Sequence, residues 1–289
     1  MYPKPFEYHS PKTVEEAAAL VERYGQEAKV LAGGQSLIPL MKLRLLSPAH
    51  VIDLGKVEGL SYIRKEGGEL AIGAMTTMVT IVDAEVVRNE CPILRDCALV
   101  VADAEVRNMG TIGGNVSHAD PTNDMPGVMV ATGASFVVAS TRGRRTIPAS
   151  EFFVDTFTTA IQEGEILVEA RVPLGQRRFG AYLKLERQAG DFGIAGVAAV
   201  LDMSPDGTCA SCGIGLTAVG PTAIKATKAE KILRGTRLEK ERVEEAAKAA
   251  AQEAQPVSDL RGSAEYKREM VRVLTVRAVR AAARRRAND

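Results

Sequence analysis

Apolar and polar positions over the first part of the chain follow a helical period and then a strand-like one. Thr13 is a predicted N-cap, Glu16 completes a capping box three residues later, and Gly25 follows the last helical turn. In chain order the pattern predicts a helix over 13–24, a strand over 28–32, a helix over 37–46 and a strand over 50–54. We therefore expect a small βαβ-like unit over residues 1–55.

Residues 56–176 predict a second, α+β unit. Two strand-like runs within 60–75 meet at Gly67 and Gly68, which favours a hairpin. Further along, the pattern predicts helices over 76–89, 92–102 and 124–133, with Pro126 near the start of the last, and strands over 134–140, 144–149 and 165–173.

Residues 177–289 predict a C-terminal domain of different character. Strand-like runs over 180–188, 194–203 and 208–220, with a turn at 204–207, favour a three-stranded antiparallel sheet. The rest is rich in Ala, Lys, Arg and Glu and predicts helices over 227–235, 239–254 and 266–286. The fold class is therefore α+β (α/β), in three closely joined units.

Composition excludes several classes of protein. Hydrophobic residues are 46% and charged residues 25% of the 289 positions, the balance of a folded globular protein. A formal charge of +1 provides no overall attraction to nucleic acid or to a membrane. No apolar run approaches the roughly 20 residues of a membrane span, and the opening residues lack a secretory signal. We expect a cytoplasmic protein whose four cysteines stay reduced.

Two separate segments carry a double glycine followed by a small polar residue: AGGQS at 32–36 and GTIGGN at 110–115. A glycine pair lets a ligand approach the main chain, and amides before a helix favour a phosphate. A diphosphate between two units can use one such segment on each side. The alternative is that each pair simply makes a tight turn. Neither segment matches the Rossmann or Walker patterns.

Four stretches together resemble the medium, FAD-binding subunit of the molybdenum hydroxylases, and in particular the aerobic carbon monoxide dehydrogenase type. They are AGGQSLIPLMKLRL (32–45), IGAMTT (72–77), VRNMGTIGGNVSHADPTNDMP (106–126) and KLERQAGDF (184–192). The resemblance runs from Phe6 to the C-terminal helix. It implies an FAD-binding fold of the vanillyl-alcohol-oxidase and para-cresol-methylhydroxylase type, with two α/β subdomains holding the cofactor and a C-terminal domain of three-stranded sheet and helices.

The resemblance also implies the cofactor contacts. Two segments would hold the diphosphate, mostly by backbone amides: Ala32, Gly33, Gly34, Gln35 and Ser36, and then Thr111, Ile112, Gly113, Gly114 and Asn115. The stretch 118–124 would pass the ribose and adenine, with Asp124 as an acidic contact. A carboxylate that caps the helix at Pro126 is the alternative role for Asp124.

The flavin ring would meet residues further along the chain. Ile166 or Leu167 corresponds to an apolar contact, Lys184 to a basic residue near the pyrimidine edge, and Phe192 to an aromatic cover. Strand packing is the alternative role for the first three. Two positions depart from the carbon monoxide dehydrogenase pattern: Phe192 where relatives often have Tyr, and Gln35 where they commonly have His.

The implied function is electron transfer through non-covalently bound FAD, with no catalytic acid or base and no metal ligand in this chain. Partners would be a large subunit with the molybdenum cofactor and a small subunit with two [2Fe–2S] clusters, as a dimer of heterotrimers. The cysteine spacing does not fit an iron–sulfur cluster here. The substrate, whether carbon monoxide, an aldehyde, a heteroaromatic or a thioester, and the final acceptor stay open.

Other patterns suggest weaker alternatives. The three histidines, His9, His50 and His118, show no metal-ligand spacing, and the CASC motif at 209–212 has residues expected to face opposite sides of a strand. The basic C-terminal helix favours a solvated face over a nucleic-acid site. The rival functions are a free-standing oxidoreductase that binds NAD or another nucleotide and a non-enzymatic binding module that uses this helix.

Overall fold

The computed structural model describes residues 2–286. The strands are β1 Glu7–His9, β2 Ala28–Leu31, β3 His50–Asp53, β4 Ile63–Glu66, β5 Glu69–Gly73, β6 Ser135–Ser140, β7 Gly143–Pro148, β8 Phe153–Asp155, β9 Thr158–Thr159, β10 Ile166–Pro173, β11 Arg178–Leu185, β12 Ala195–Met203, β13 Cys209–Thr217 and β14 Ile224–Lys225.

The helices complete this α+β architecture. They are α1 Val14–Tyr24, α2 Leu37–Lys42, α3 Met78–Asp83, α4 Glu85–Glu90, α5 Pro92–Val100, α6 Ala104–Met109, α7 Ile112–His118, α8 Asp124–Thr132, α9 Ala149–Phe152, α10 Thr227–Leu233, α11 Lys240–Glu253 and α12 Ala264–Arg286. No helix in the part of the chain that the structure describes has the length and apolar character to cross a bilayer.

The first sheet is parallel, with strand order β1-β3-β2. Its edge strand β1 was not predicted, because three residues are too few for a pattern to stand out. Helix α1 begins as its sequence predicts: the Thr13 hydroxyl accepts from the Glu16 amide at 3.1 Å. Helix α2 ends at Lys42, four residues short of the predicted end.

The second sheet has the order β4-β5-β10-β6-β7 and is antiparallel throughout. The predicted hairpin joins β4 to β5, and Gly67 and Gly68 both have positive φ, +56° and +84°. One face of this sheet contributes Leu70, Ile72 and Phe136 to the main core, which also includes side chains of α3, α5, α7 and α8.

The third sheet has the order β11-β12-β13-β14 and confirms the predicted antiparallel C-terminal strands, with a short fourth strand added. Helix α8 lies directly on β13, since a Cβ on Gly127 would come within 2.6 Å of the Thr217 methyl group. A Cβ on Gly215 would in turn collide with the Gly127 carbonyl. Glycines therefore allow α8 to pack closely on the third sheet.

The expectation that Cys209 and Cys212 face opposite sides of a strand is wrong. A register shift opposite Asp202 and Met203 inserts an extra residue in β13. Such a bulge changes the alternation of side chains, and both thiols pack beside Phe179 and Leu201 in one apolar cluster. Both thiols are free and serve packing.

Candidate functional site

The structure brings the two glycine segments into contact. A Cβ on Gly33 would collide with the Met109 carbonyl oxygen and come within 2.8 Å of the Gly110 Cα. A Cβ on Gly114 would lie 3.4 Å from the Ala32 Cβ. Segments 32–36 and 110–115 therefore lie side by side, and we call this contact the junction. The first segment follows β2, and the second leads into α7.

The first segment is a bend whose amides are available to a ligand. Gly34 has a φ of +75°, which a residue with a Cβ adopts only under strain. Within residues 2–286, the backbone N–H groups of Gly33, Gly34, Gln35 and Ser36 donate to no other group. The only side-chain bond within the bend runs from Gln35 Nε2 to the Gly33 carbonyl at 3.2 Å. Four neighbouring donors without acceptors form a receptor for an anion.

The second segment differs from the sequence-based interpretation. It forms the N-cap and first turn of α7 and is not a free turn. Thr111 is its N-cap, and its hydroxyl accepts from the Gly114 amide at 3.0 Å. The Ile112 and Gly113 amides donate to Thr76 and Ala74 at 3.0 and 2.9 Å, and the Asn115 amide donates to Thr111 at 3.0 Å. Among residues 110–115, only the Thr111 amide donates to no other group within residues 2–286, so the first segment offers most of the open donors.

Gly113 is glycine for a packing reason. A Cβ at this position would lie 2.6 Å from both the Cβ and the carbonyl oxygen of Ala74. Ala74 follows β5, so the glycine lets α7 approach the second sheet. This requirement is independent of any ligand.

Asn115, in the first turn of α7, carries an unsatisfied polar group. Its side-chain Oδ1 is buried and has no hydrogen-bond partner in the described residues. Its backbone carbonyl accepts from Asn123 Nδ2 at 3.0 Å, which ties α7 to the stretch before α8. A buried oxygen without a donor is costly. A bound ribose hydroxyl would satisfy it, and the amide turned over would offer its NH2 to a phosphate.

The stretch 118–124 runs from this junction to the third sheet. Asp120 holds a turn by accepting from the Thr122 amide at 2.8 Å and its hydroxyl at 2.6 Å. The Pro121 carbonyl accepts from the Ala218 amide at 2.9 Å. Burial lowers the pKa of His118, an effect that Asp120 opposes. His118 therefore binds a proton less readily than a free imidazole does.

Asp124 is the first residue of α8 but does not cap it, which rules out the helix-capping alternative. Its Oδ1 accepts from the Tyr182 hydroxyl at 2.6 Å, and its Oδ2 lies 3.2 Å from Lys184 Nζ. The Tyr182 oxygen is also 3.2 Å from the Thr217 hydroxyl. The carboxylate thus joins the second unit to the C-terminal sheet.

Lys184 is the centre of this polar group, with only 2% of its side chain exposed. Besides Asp124, its Nζ donates to the Val100 carbonyl at 2.6 Å and the Asp191 carbonyl at 3.0 Å, and it lies 3.0 Å from Glu186 Oε2. One ammonium therefore holds α5, α8 and the loop after β11 together. The alternative role predicted for Lys184, packing within a strand, does not account for its side chain, because the contacts of the ammonium group are polar.

Burial raises the pKa of Asp124 to about 6, an effect that Lys184 and Tyr182 oppose. The folded chain then holds this proton more tightly than the unfolded chain does. The stability from Asp124 is complete below its unfolded value of 3.8 and is lost as pH rises through about 6.

Relative to Asp124→Asn, we expect the unfolding free energy of the unaltered chain to fall between about pH 4 and pH 7, by on the order of 1–3 kcal/mol. Urea unfolding of both proteins across this range measures the difference. A rise over the same range would mean that the attraction of Lys184 outweighs the burial.

Phe192 lies on the loop after β11, which reaches back to Ala102, just past the end of α5. Its ring is 49% exposed and lies 5.8 Å from the Arg261 guanidinium, and its amide donates to Asp191 Oδ1 at 2.8 Å. A Cβ on Gly190, whose φ is +83°, would come within 2.9 Å of the Ala102 carbonyl. The loop thus lies against Ala102, and about half of Phe192 stays exposed.

Ile166 does not join these residues. It is 2% exposed and packs in a core cluster with Ala17 and Leu54, between α1 and the second sheet. Leu167 belongs to the main core on the other face of the sheet. Both side chains have a packing role in the described structure.

Tyr182 and Asp191 are site residues that sequence reasoning did not find. Tyr182 and Lys184 are two apart on β11, so both point to the same side of the strand. That spacing is the one signal that links Tyr182 to the predicted Lys184. Asp191 offered no pattern of its own.

Comparisons with known proteins identify the family of this chain. Residues 4–175 match the family model of the FAD-binding domain in molybdopterin dehydrogenase, and residues 180–282 match the carbon monoxide dehydrogenase flavoprotein C-terminal domain. The carbon monoxide dehydrogenase medium chain of Hydrogenophaga pseudoflava is 44% identical over 98% of both chains. That of Afipia carboxidovorans is 42% identical over the full length of both.

A solved structure extends the likeness to three dimensions. The carbon monoxide dehydrogenase of Hydrogenophaga pseudoflava without the Mo-pyranopterin moiety contains a chain that superimposes with a TM-score of 0.95 at 45% identity, over 98% of each chain. The chain described here belongs to the family of FAD-binding, medium-chain oxidoreductase subunits of the molybdenum hydroxylases.

Proposed function

We propose that this chain binds one FAD non-covalently at the junction of segments 32–36 and 110–115 and relays electrons through it to an external acceptor. The observation that carries the proposal is the contact between the two segments together with the four unpaired amides of 33–36. Bound flavin supplies the redox chemistry, since it exchanges electrons both singly and in pairs.

Different residues of the chain then bind different parts of the FAD. The amides of Gly33, Gly34, Gln35 and Ser36 donate to the diphosphate, and Asn115 turns its unpaired amide oxygen to the adenosine side. The internally bonded amides of α7 keep that helix in place against the sheet. The Thr111 amide, which has no acceptor within residues 2–286, is the donor that the second segment contributes.

Lys184 and Asp124 act at the flavin end. The buried ammonium would stabilise negative charge on a flavin ring bound beside it, and so would favour the reduced form. Asp124 moderates that effect, because it neutralises Lys184 at a distance of 3.2 Å. Ile166 and Leu167 take no part in the proposed binding, because both side chains pack in the core.

Phe192 covers the ring from the solvent side. We expect Phe192→Ala to increase iodide quenching of flavin fluorescence several-fold and to leave the unfolding free energy within about 0.5 kcal/mol, since the side chain is half-exposed. Phe192→Tyr should quench like the unaltered protein. Phe6→Ala, at a residue 40% exposed on the N-terminal unit, is the control. Equal quenching in all four proteins would show that Phe192 does not cover the flavin.

The partners proposed for this chain are a large molybdenum-cofactor subunit and a small subunit with two [2Fe–2S] clusters, in a cytoplasmic dimer of heterotrimers. The family membership supports the subunit role. Gln35, in place of the histidine common in carbon monoxide dehydrogenases, leaves the substrate class open. We keep the division into units at 1–55, 56–176 and 177–289 as part of the proposal.

A spectrum of the purified chain tests the proposal. We expect the two absorption bands of oxidised flavin and one FAD released per chain on denaturation. Co-expression with the proposed large and small subunits should then give a complex in which addition of the substrate reduces the flavin and bleaches its absorption bands. A colourless protein that binds NAD, or one that binds nucleic acid at low salt through the exposed Arg277, Arg280 and Arg284, would favour one of the rival functions.

A further inference from the structure

Two of the three histidines meet on the first sheet, far from the glycine segments in sequence. Strands β1 and β3 are parallel neighbours, and Glu7 is the register partner of His50. Since side chains alternate along a strand, His9 lies on the same face as Glu7. The fold therefore brings Glu7, His9 and His50 together, although the sequence shows no metal-ligand spacing.

Their donor atoms converge on one point. His9 Nε2 and His50 Nδ1 are 3.1 Å apart. Glu7 Oε2 is 3.4 Å from His50 Nδ1, and Glu7 Oε1 is 3.7 Å from His9 Nε2. Ligands at 2.0–2.1 Å from a tetrahedral zinc ion are separated from one another by about 3.3 Å. The distance between the two histidine nitrogens lies close to such an edge, and one ligand atom from each of the three residues lies within 4.8 Å of the others.

The surroundings hold the two rings and leave the carboxylate mobile. The His9 and His50 side chains are 13% and 15% exposed, whereas that of Glu7 is 64% exposed. The Tyr24 ring stacks on His50 with centroids 3.7 Å apart, which fixes the orientation of the imidazole. Two fixed nitrogens and an adjustable carboxylate leave one tetrahedral position open to water.

The geometry points to a binding site for a divalent cation of the zinc class, with Glu7, His9 and His50 as ligands. Two imidazoles and a carboxylate are ligands that zinc takes in proteins. The bound ion links β1, a three-residue edge strand, to the central strand β3. The ion therefore has a structural role, since it holds the edge strand β1 on the first sheet.

Titration of the chelator-treated, full-length chain with Zn²⁺, followed by calorimetry, tests the site. We expect one ion per chain, together with a rise in the unfolding temperature. Glu7→Gln should weaken binding by at least about tenfold, since even outer-shell partners of a metal change its affinity by about 10–100-fold. His50→Gln should abolish it. His118→Gln, at the remaining histidine, should bind like the unaltered chain.

Co²⁺ distinguishes these ligands from the buried cysteines. The cobalt protein should show tetrahedral d–d absorption without sulfur-to-cobalt charge transfer. The inference is overturned if Zn²⁺ does not bind, if Glu7→Gln and His50→Gln bind it unchanged, or if a sulfur band accompanies the cobalt. Because Glu7 is exposed, Glu7→Gln decides the matter even if His50→Gln fails to fold.

Discussion

Lys184→Met is expected to lower the free energy of unfolding by about 3–5 kcal/mol and to release the flavin. The change removes the ammonium but leaves Asp124 buried, so the carboxylate loses its cationic partner. It also frees the Val100 and Asp191 carbonyls, which hold the loop of Phe192. Chemical denaturation and the FAD content of the purified protein measure the two effects.

Two controls separate stability from binding. Lys267→Met removes another buried ammonium, 4% exposed and 2.7 Å from Asp259, and should destabilise the chain while leaving FAD bound. The double change Asp124→Asn with Lys184→Met removes both charges and should recover part of the stability but not the flavin. Full flavin retention in Lys184→Met would show that this lysine lies away from the cofactor.

Gly33→Ala is expected to reduce bound FAD by more than about tenfold, because the new methyl group falls on the Met109 carbonyl and pushes the two segments apart. Gly114→Ala should have a smaller effect. Its Cβ comes no closer than 3.0 Å to the Thr111 hydroxyl and 3.4 Å to the Ala32 methyl. Equilibrium dialysis of the apoprotein against FAD gives both affinities.

The matched control is Gly235→Ala. Gly235 has a φ of +77°, and a Cβ at this position would have no neighbour within 4 Å, so the change introduces backbone strain away from the junction. It should cost stability without loss of FAD. If Gly33→Ala bound FAD as tightly as Gly235→Ala does, the junction would not be the binding site.

Local signals in the sequence were enough for much of the fold. The capping residues around α1, the glycine pair between β4 and β5, and the three long C-terminal strands each combine a period with a start or stop signal. Two of the features that escaped prediction lack such signals. Strand β1 is three residues long, and the bulge at Cys209 depends on its pairing with β12.

The site was predictable in outline and not in its hydrogen bonding. The motifs located both glycine segments and Lys184, but only the packing shows that the amides of Gly113 and Gly114 are already bonded. Asp124 and Lys184 are 60 positions apart and lie on α8 and β11, so no local pattern in the sequence predicts their ion pair. Pairings across units follow from tertiary structure alone.

Hydrogen–deuterium exchange at residue resolution, with and without FAD, tests the central claim most directly. The amides of Gly33, Gly34, Gln35 and Ser36 have no acceptor in the described chain, so they should exchange rapidly in the apoprotein and at least about tenfold more slowly with FAD. Amides of α7, already bonded, should change less. Stoichiometric FAD binding that leaves exchange at residues 33–36 unchanged would contradict the account.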